Sequence, residues 1–249
     1  MATAATTLSS PTLPGRRYDR IFFAILAALI LGTVFIGFAP TYYLAGLVKA
    51  PLPSWIIHVH GALFSSWIIL LIVQTAFVSV RRVDLHKKLG LFGFGLACVM
   101  LVFGLMAATN SLHRNFAPPG GLDAQTFYIV PLTDMFLFAV LIYFSYRLRT
   151  DSPAHKRLII LATLAILDAA IARWPLAYIR AGNHLLTDLT LYAFLFLLIG
   201  YDLWSTHKVH RATIWGSLAI IIVQQIRVPI GLTPVWHHIT AIILKTNLP

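Results

Sequence analysis

Seven long apolar runs, separated by short polar loops, constrain the fold of this chain more than any other feature of its sequence. They lie near residues 19–40, 53–80, 85–112, 125–148, 153–180, 184–205 and 210–231. A helix needs about 20 apolar residues to cross the hydrocarbon core of a bilayer, and each run is long enough. We therefore expect an all-α membrane protein that folds as a seven-transmembrane-helix bundle.

The two ends of the chain differ from these runs. Residues 1–17 are mostly small and polar, include two prolines and end on arginines, so they predict a disordered cytoplasmic tail before a single membrane domain at 18–249. The first apolar run is too long for a signal peptide and lacks a small-residue cleavage site. The last apolar piece, residues 234–246, is short and amphipathic, which predicts an interfacial helix.

Composition and charge exclude several classes of protein. Hydrophobic residues make up 59% of the 249 residues and charged residues only 11%, which excludes a water-soluble globular domain. The formal net charge of +11 would suggest nucleic-acid binding in a soluble protein. Here the basic residues stand in short loops between apolar runs, so we expect membrane lipids, and no nucleic acid, as partners.

The distribution of lysine and arginine predicts the orientation. If the N-terminus is cytoplasmic, 13 of the 19 basic residues fall on the cytoplasmic side. These are Arg16, Arg17, Arg20, Arg81, Arg82, Lys87, Lys88, Arg147, Arg149, Lys156, Arg157, Lys208 and Arg211. Because cytoplasmic loops carry the excess of positive charge, we expect an N-in, C-out topology.

A short repeated pattern divides the chain further. The third, fifth and seventh predicted helices each begin near a histidine followed by a basic residue, at His86, His155 and His210. The fourth and sixth share Leu-Thr-Asp, at residues 132–134 and 186–188. This spacing indicates one leading helix followed by three similar hairpins.

Charged side chains occur where the outer half of the bundle should be hydrocarbon. A rise of about 1.5 Å per residue places Asp134, Asp168, Arg173, Asp188 and Arg227 inside the outer leaflet. Buried charges in a membrane are costly and usually functional, so these groups should turn inward and share one polar cavity. We expect Arg227 to pair with Asp168, and Arg173 to pair with Asp134 or Asp188.

Histidines add candidate ligands for a metal ion or a haem. His60, His113, His184 and Asp188 form a candidate metal set in the outer half, where His184 and Asp188 share a helix face. His86 and His155 could instead face each other as axial haem ligands, and His58 is a further candidate for cofactor binding. Cys98 is the only cysteine, which excludes cysteine-rich metal sites and covalent c-type haem.

Several short motifs carry a resemblance. His58-x-His60-Gly61, Arg82-x-x-x-His86-Lys87-Lys88-Leu89-Gly90 and His155-Lys156-Arg157-Leu158 resemble the pattern of uncharacterised bacterial multi-pass membrane proteins. The His-basic-basic-Leu-Gly element is also similar to that of cytochrome b561-like haem proteins. The first resemblance implies a multi-pass protein of the bacterial inner membrane, and the second implies a bound b-type haem.

Three functions stay open on the sequence alone. In the first, a metal ion or haem in the outer cavity supports a redox or hydrolytic step on a small or lipid-soluble substrate, with Asp134 and Asp168 in acid-base roles. The second is a proton-coupled or anion transporter in which Asp168, Arg173 and Arg227 form the relay. The third is a structural or assembly subunit whose polar residues only pack the helices.

Overall fold

The fold is described from a computed structural model, which covers residues 15–47, 54–182 and 184–246. Residues 1–14 of the predicted disordered tail lie outside the described residues, as do 48–53, 183 and 247–249. The first helix begins at Gly15, so it includes the last three residues of the predicted tail.

The described residues form ten α-helices and one π-helical turn. The helices are α1 (Gly15–Phe38), α2 (Trp55–Ser79), α3 (Val83–His113), α4 (Ala124–Arg147), α5 (Ser152–Ala165), α6 (Asp168–Ile171), α7 (Ala177–Arg180), α8 (His184–Thr206), α9 (Arg211–Gly231) and α10 (Pro234–Leu244), and the π-helical turn Ala39–Tyr43 extends α1. The all-α prediction is confirmed for these residues.

Six of these helices are long and apolar enough to cross a membrane: α1 with its π-helical turn, α2, α3, α4, α8 and α9. The predicted single helix over residues 153–180 is wrong. In its place the chain forms α5, a break, the single turn of α6, a second break and the single turn of α7. We call residues 152–180 the interrupted segment.

The two breaks have local causes. After Ala165 the hydrogen bonds tighten to a three-residue spacing, with the Leu167 amide donating to the Leu164 carbonyl at 3.0 Å. A turn of this tighter kind commonly ends an α-helix. The second break coincides with Pro175, whose ring disfavours helical backbone at the preceding residue, Trp174.

Contacts between helix termini define two ends of the bundle. At the basic end, Arg20 near the start of α1 donates to the Ser79 carbonyl of α2 at 2.9 Å. The same end holds the start of α5 against the end of α4, where His155 Nδ1 donates to the Ser145 carbonyl at 3.0 Å. At the far end, the Trp236 indole on α10 donates to the Gln125 carbonyl of α4 at 2.7 Å.

The core lies around α4 and α5. Phe138, Leu161 and Met100 are among the side chains with almost no exposed surface. The Trp67 indole of α2 donates to Thr163 Oγ1 of α5 at 3.1 Å, which satisfies a buried donor next to these apolar groups. The predicted C-terminal helix is also confirmed, since α10 packs on α4 and α9.

The interrupted segment is held to α1 by a close backbone approach. A Cβ atom added at Gly37 would lie 2.1 Å from the Ala170 carbonyl oxygen of α6. Next to this contact, the Trp174 indole donates to the Thr33 carbonyl at 3.2 Å. Only glycine at position 37 therefore allows α6 to reach this depth against α1.

We expect the Gly37→Ala variant to be less stable than the unmodified protein by about 1–3 kcal/mol, because the added methyl group meets backbone rather than a movable side chain. Thermal unfolding in detergent measures the effect. Gly32→Ala on the same helix is the matched control, since a Cβ there meets nothing within 4 Å. Equal melting temperatures for the two variants would contradict the close approach.

Candidate functional site

Three charged side chains from three segments meet inside the bundle near the far end. Arg227 of α9 donates from Nη1 to Asp134 Oδ1 of α4 at 2.8 Å and from Nη2 to Asp168 Oδ2 of α6 at 2.5 Å. All three residues are at most 7% exposed. We call this group the charge triad. The predicted pairing of Arg227 with Asp168 is confirmed.

Gln224 extends the triad along α9. It lies three residues before Arg227, on the same helix face, and its Nε2 donates to Asp168 Oδ2 at 2.9 Å. Among the described residues, two buried acceptors of this cluster, Asp168 Oδ1 and Gln224 Oε1, have no hydrogen-bond partner. The site therefore has unused capacity to accept a proton or a donor group.

Each charge of the triad lies close to a helix start or to a proline inside a helix. Asp168 begins α6 directly after the first break. Pro131 precedes Asp134 by three residues inside α4, and Pro229 follows Arg227 by two inside α9. A proline inside a helix removes one backbone hydrogen bond and permits a bend. Each buried charge therefore lies near a residue at which the backbone hydrogen bonding of its segment is interrupted.

Arg173 does not join the triad. Its Nη1 donates to the Ala169 carbonyl at 2.5 Å, and its guanidinium lies 4.9 Å from the Phe38 ring centroid. The predicted pairing of Arg173 with Asp134 or Asp188 is therefore wrong. The helix α6 ends at Ile171, and Arg173, two residues later, packs against Phe38 at the end of α1.

Asp188 lies beside the triad on α8. It is partly buried and interacts electrostatically with Asp168, Arg227 and His184. One turn later, Tyr192 accepts a hydrogen bond at its hydroxyl from Gln225 Nε2 at 2.7 Å. These groups form a partly exposed polar border next to the buried triad.

The predicted metal ligands are not assembled. His60 stacks on Phe64 with ring centroids 4.1 Å apart, while His113 lies at the last turn of α3 and His184 at the first turn of α8. Within residues 15–47, 54–182 and 184–246, no three His, Cys, Asp or Glu side chains are grouped as a metal site would need. The set of His60, His113, His184 and Asp188 therefore has no geometric support.

Two of the three predicted cofactor-binding histidines do meet. The rings of His86 on α3 and His155 on α5 have centroids 6.3 Å apart and planes at 80°. His155 Nδ1 donates to the Ser145 carbonyl and lies 2.9 Å from the Ser145 hydroxyl. His86 Nδ1 is buried and has no hydrogen-bond partner in the described part of the structure. His58 is separate from them, exposed on α2 beside Tyr42 at the far end.

A second buried ion pair was missed by the sequence analysis. Arg157 of α5 donates from Nε to Asp202 Oδ1 of α8 at 2.9 Å, and its Nη2 binds the same carboxylate. Asp202 also accepts from Thr213 Oγ1 at 2.6 Å and from the His210 amide at 3.0 Å. We call these four residues the basic-end clamp. In the sequence, Arg157 was used only to predict the orientation of the chain. The carboxylate of Asp202, at a matching depth on α8, could have indicated the pair.

His210 caps α9 as a neutral ring. Its Nδ1 accepts a hydrogen bond from the Ala212 amide at 3.1 Å, which requires that nitrogen to be unprotonated. Burial, together with the positive charge of Arg157, lowers the pKa of His210 below its ordinary value. The cap is therefore retained at neutral pH and weakens as the pH falls through the lowered value.

Comparison of the chain with protein-family models, with curated proteins and with solved structures finds no match.

We expect Asp202→Asn to destabilise the protein by about 3–5 kcal/mol, because it leaves the buried Arg157 guanidinium without its counter-charge. Unfolding in detergent, followed by circular dichroism, measures the loss. Asp84→Asn is the control, since Asp84 pairs with Arg82 in the open with both side chains more than half exposed. Similar stability of the two variants would show that the clamp does not hold α5 to α8.

Proposed function

We propose that the protein is a proton-coupled transporter of the bacterial inner membrane, and that the charge triad is its proton-binding site. In this proposal the interrupted segment also crosses the membrane. It is the fifth of seven membrane segments in chain order. The N-terminus and the basic end face the cytoplasm, and the C-terminus lies outside. The observation that supports the proposal is a buried Asp168 whose Oδ1 has no partner among the residues that the structure describes, at the point where this segment is broken.

The break itself favours transport. Irregular backbone at membrane depth is tolerated where it is buried in protein or lines a cavity, and discontinuous helices form the binding sites of many transporters. The 14 residues of α5 rise about 21 Å from the basic end, which places the break within a hydrocarbon core of about 30 Å. Leu167 at the break is buried, so protein shields the irregular backbone there.

The charge balance of the triad supports proton binding. Two ionised carboxylates against one guanidinium leave one net negative charge in a region with almost no solvent contact. An uncompensated charge in such surroundings costs several kcal/mol, and a bound proton removes that cost. Asp168 Oδ1 is an acceptor to which no group within residues 15–47, 54–182 and 184–246 donates a hydrogen bond.

Protonation would also change what holds the segments together. With Asp168 ionised, Arg227 and Gln224 bind α6 to α9. With Asp168 neutral, the charge contribution of that contact is lost, and Arg227 keeps Asp134 as its counter-ion. The proton would therefore control the attachment of the interrupted segment to α9. Movement of that segment would open the site toward Asp188 and Tyr192.

We expect Asp168→Asn to abolish pH-dependent flux in proteoliposomes, because asparagine cannot cycle between a charged and a neutral form. An internal pH indicator follows proton movement under an imposed gradient, with a panel of small anions and neutral solutes added outside. The Asp84→Asn variant, changed at an exposed pair, should behave as the unmodified protein does. Flux that persists in a folded Asp168→Asn variant would contradict the proposal.

A second function, binding of a b-type haem, is supported at the basic end by His86 and His155. His86 and His155, whose ring centroids lie 6.3 Å apart, would be the two residues that hold the haem. Because His155 Nδ1 donates its hydrogen to the Ser145 carbonyl, its Nε2 is unprotonated and keeps a lone pair, as in metal-binding histidines.

The chemistry around this pair favours haem over a bare metal ion. Exposed Lys87 and Lys88 next to His86 would repel a cation but attract the propionates of a haem. Phe94 packs beside His155, with ring centroids 6.3 Å apart, and supplies an aromatic wall. A haem held there would add one-electron redox chemistry.

We expect the purified protein to bind haemin and to give the visible spectrum of a six-coordinate haem. His86→Ala and His155→Ala should each lose that spectrum, because each removes one axial ligand. His58→Ala is the matched control, since His58 lies at the far end. A haemin spectrum unchanged by the first two substitutions would exclude this site, as would a protein that binds no haemin.

A further inference from the structure

Arg173 is a cation of the interrupted segment for which the described residues supply no counter-ion. All eight acidic side chains of the chain lie within the described residues, and none of them forms an ion pair with Arg173. Each has another role: Asp19, Asp84, Asp134, Asp168 and Asp202 pair with other basic residues, Asp123 and Asp151 cap α4 and α5, and Asp188 lies beside the triad. The positive charge of Arg173 is therefore open to an anion from outside the chain.

The guanidinium of Arg173 has unused donors. Nη1 donates to the Ala169 carbonyl at 2.5 Å, and the group lies 4.9 Å from the Phe38 ring centroid. Nε and Nη2 donate to no group within residues 15–47, 54–182 and 184–246. Arg173 is also exposed. The edge that carries two guanidinium donors matches the two oxygens of a carboxylate, so this edge can bind such a ligand.

His60 of α2 lies close enough to Arg173 to interact with it electrostatically. Its ring stacks on Phe64 with centroids 4.1 Å apart, and its Nδ1 is buried without a hydrogen-bond partner in the described part of the chain. The region between the two residues therefore offers a cation, an unused imidazole nitrogen and apolar surface from Phe38 and Phe64. A few polar groups among aromatic rings are typical of sites for small organic ligands.

Arg173 lies at a depth that a water-soluble anion can reach from the far side. Phe38 is the last of the 24 residues of α1, which rise about 36 Å from the basic end. A hydrocarbon core is about 30 Å thick, so the guanidinium beside Phe38 lies close to its far boundary. An anion that binds Arg173 does not have to cross the core first.

The charges of the interrupted segment favour one proton and one anion together. Asp168 and Arg173 are the only charged side chains between residues 158 and 179. Asp168 begins α6 and Arg173 follows α6 by two residues, so both belong to the part of the chain that would move. The charged groups that face Asp168 from other helices are Arg227 of α9, Asp134 of α4 and Asp188 of α8.

Empty, this part of the segment carries one negative and one positive charge. With a proton on Asp168 and a monovalent anion on Arg173 it is neutral again. Either ligand alone leaves a net charge, which is costly in hydrocarbon. Movement is therefore least costly when both ligands are bound or when neither is.

We propose that Arg173 binds the transported substrate, a small organic monocarboxylate that enters together with the proton on Asp168. The inference rests on the proposed transport function and adds the substrate class to it. A monocarboxylate supplies two oxygens for the open guanidinium edge, an apolar body for Phe38 and Phe64, and the single negative charge that balances one proton. Each cycle then moves no net charge.

Thermal unfolding of the detergent-purified full chain in sodium lactate, with sodium chloride at equal ionic strength as reference, tests the binding site. Lactate should raise the melting temperature of the unmodified protein, because a ligand of the folded state stabilises it. Arg173→Gln should need about tenfold more lactate for the same rise, as expected for the loss of a hydrogen bond between charged groups. Arg173→Lys, which keeps the charge, should lose less.

Arg114→Gln is the matched control, since it removes an exposed arginine at the same end of the bundle, and it should bind lactate as the unmodified protein does. An equal rise for Arg173→Gln and the unmodified protein would overturn the proposal. So would a rise with phosphatidylglycerol but not with lactate, since the site would then hold a lipid phosphate.

Uptake of labelled lactate into phosphatidylcholine proteoliposomes tests the coupling. We expect an inward proton gradient to drive uptake at a rate that a membrane potential imposed with potassium and valinomycin does not change. Arg173→Gln should lose this uptake, whereas Arg114→Gln should keep it. Uptake that follows the imposed potential would overturn the paired entry of one proton and one anion.

The infrared band of a protonated carboxyl group separates this inference from the proposed function. We expect Arg173→Gln to keep the band that appears on acidification and that Asp168→Asn lacks. Lactate binding through Arg173 without such a band would contradict the proton site alone. The band without any binding of lactate through Arg173 would contradict the substrate site alone.

Discussion

The guanidinium of Arg227 is the one group in the described structure that joins three separate segments in the far half of the bundle. It binds a carboxylate of α4 and a carboxylate of the interrupted segment, and both contacts are buried. In hydrocarbon an unpaired charge is costly enough to prevent such an arrangement, so each of the three charges requires the others. The position of α6, detached from α5 and set against Gly37 of α1, depends on this set of contacts.

The two buried ion-pair clusters differ in how completely they are satisfied. At the basic end, Asp202 accepts from a guanidinium, a hydroxyl and a backbone amide, and neither of its oxygens lacks a partner. Around the triad, one oxygen of Asp168 and one of Gln224 accept no hydrogen bond within the described part of the chain. A fully satisfied network rigidifies a fold, whereas a partly satisfied one is costly unless it serves another purpose. This contrast is the reason to treat the clamp as structural and the triad as functional.

From the sequence, the depth of the charged residues in the bundle could be predicted well, but the direction of their side chains could not. Counting residues from the helix ends placed Asp134, Asp168 and Arg227 at one level, and the structure brings them together. From the same count we predicted that Arg173 pairs with a carboxylate at its level. This was wrong because the depth of a residue does not determine the side to which it points after the helix has ended. The first break was not predicted either, since the residues before it are apolar and suited to a helix. Arg157 was misread because a basic residue beside a loop normally reports topology.

The central claim is that the charge triad binds a proton at Asp168. Infrared difference spectra of the purified protein, recorded between mildly acidic and mildly alkaline buffer, test it most directly, because a protonated carboxyl and a carboxylate absorb at different frequencies. The account predicts a carboxylic acid band that appears on acidification and is absent from Asp168→Asn. A band that survives in Asp168→Asn, or carboxylates that stay ionised throughout, would contradict it.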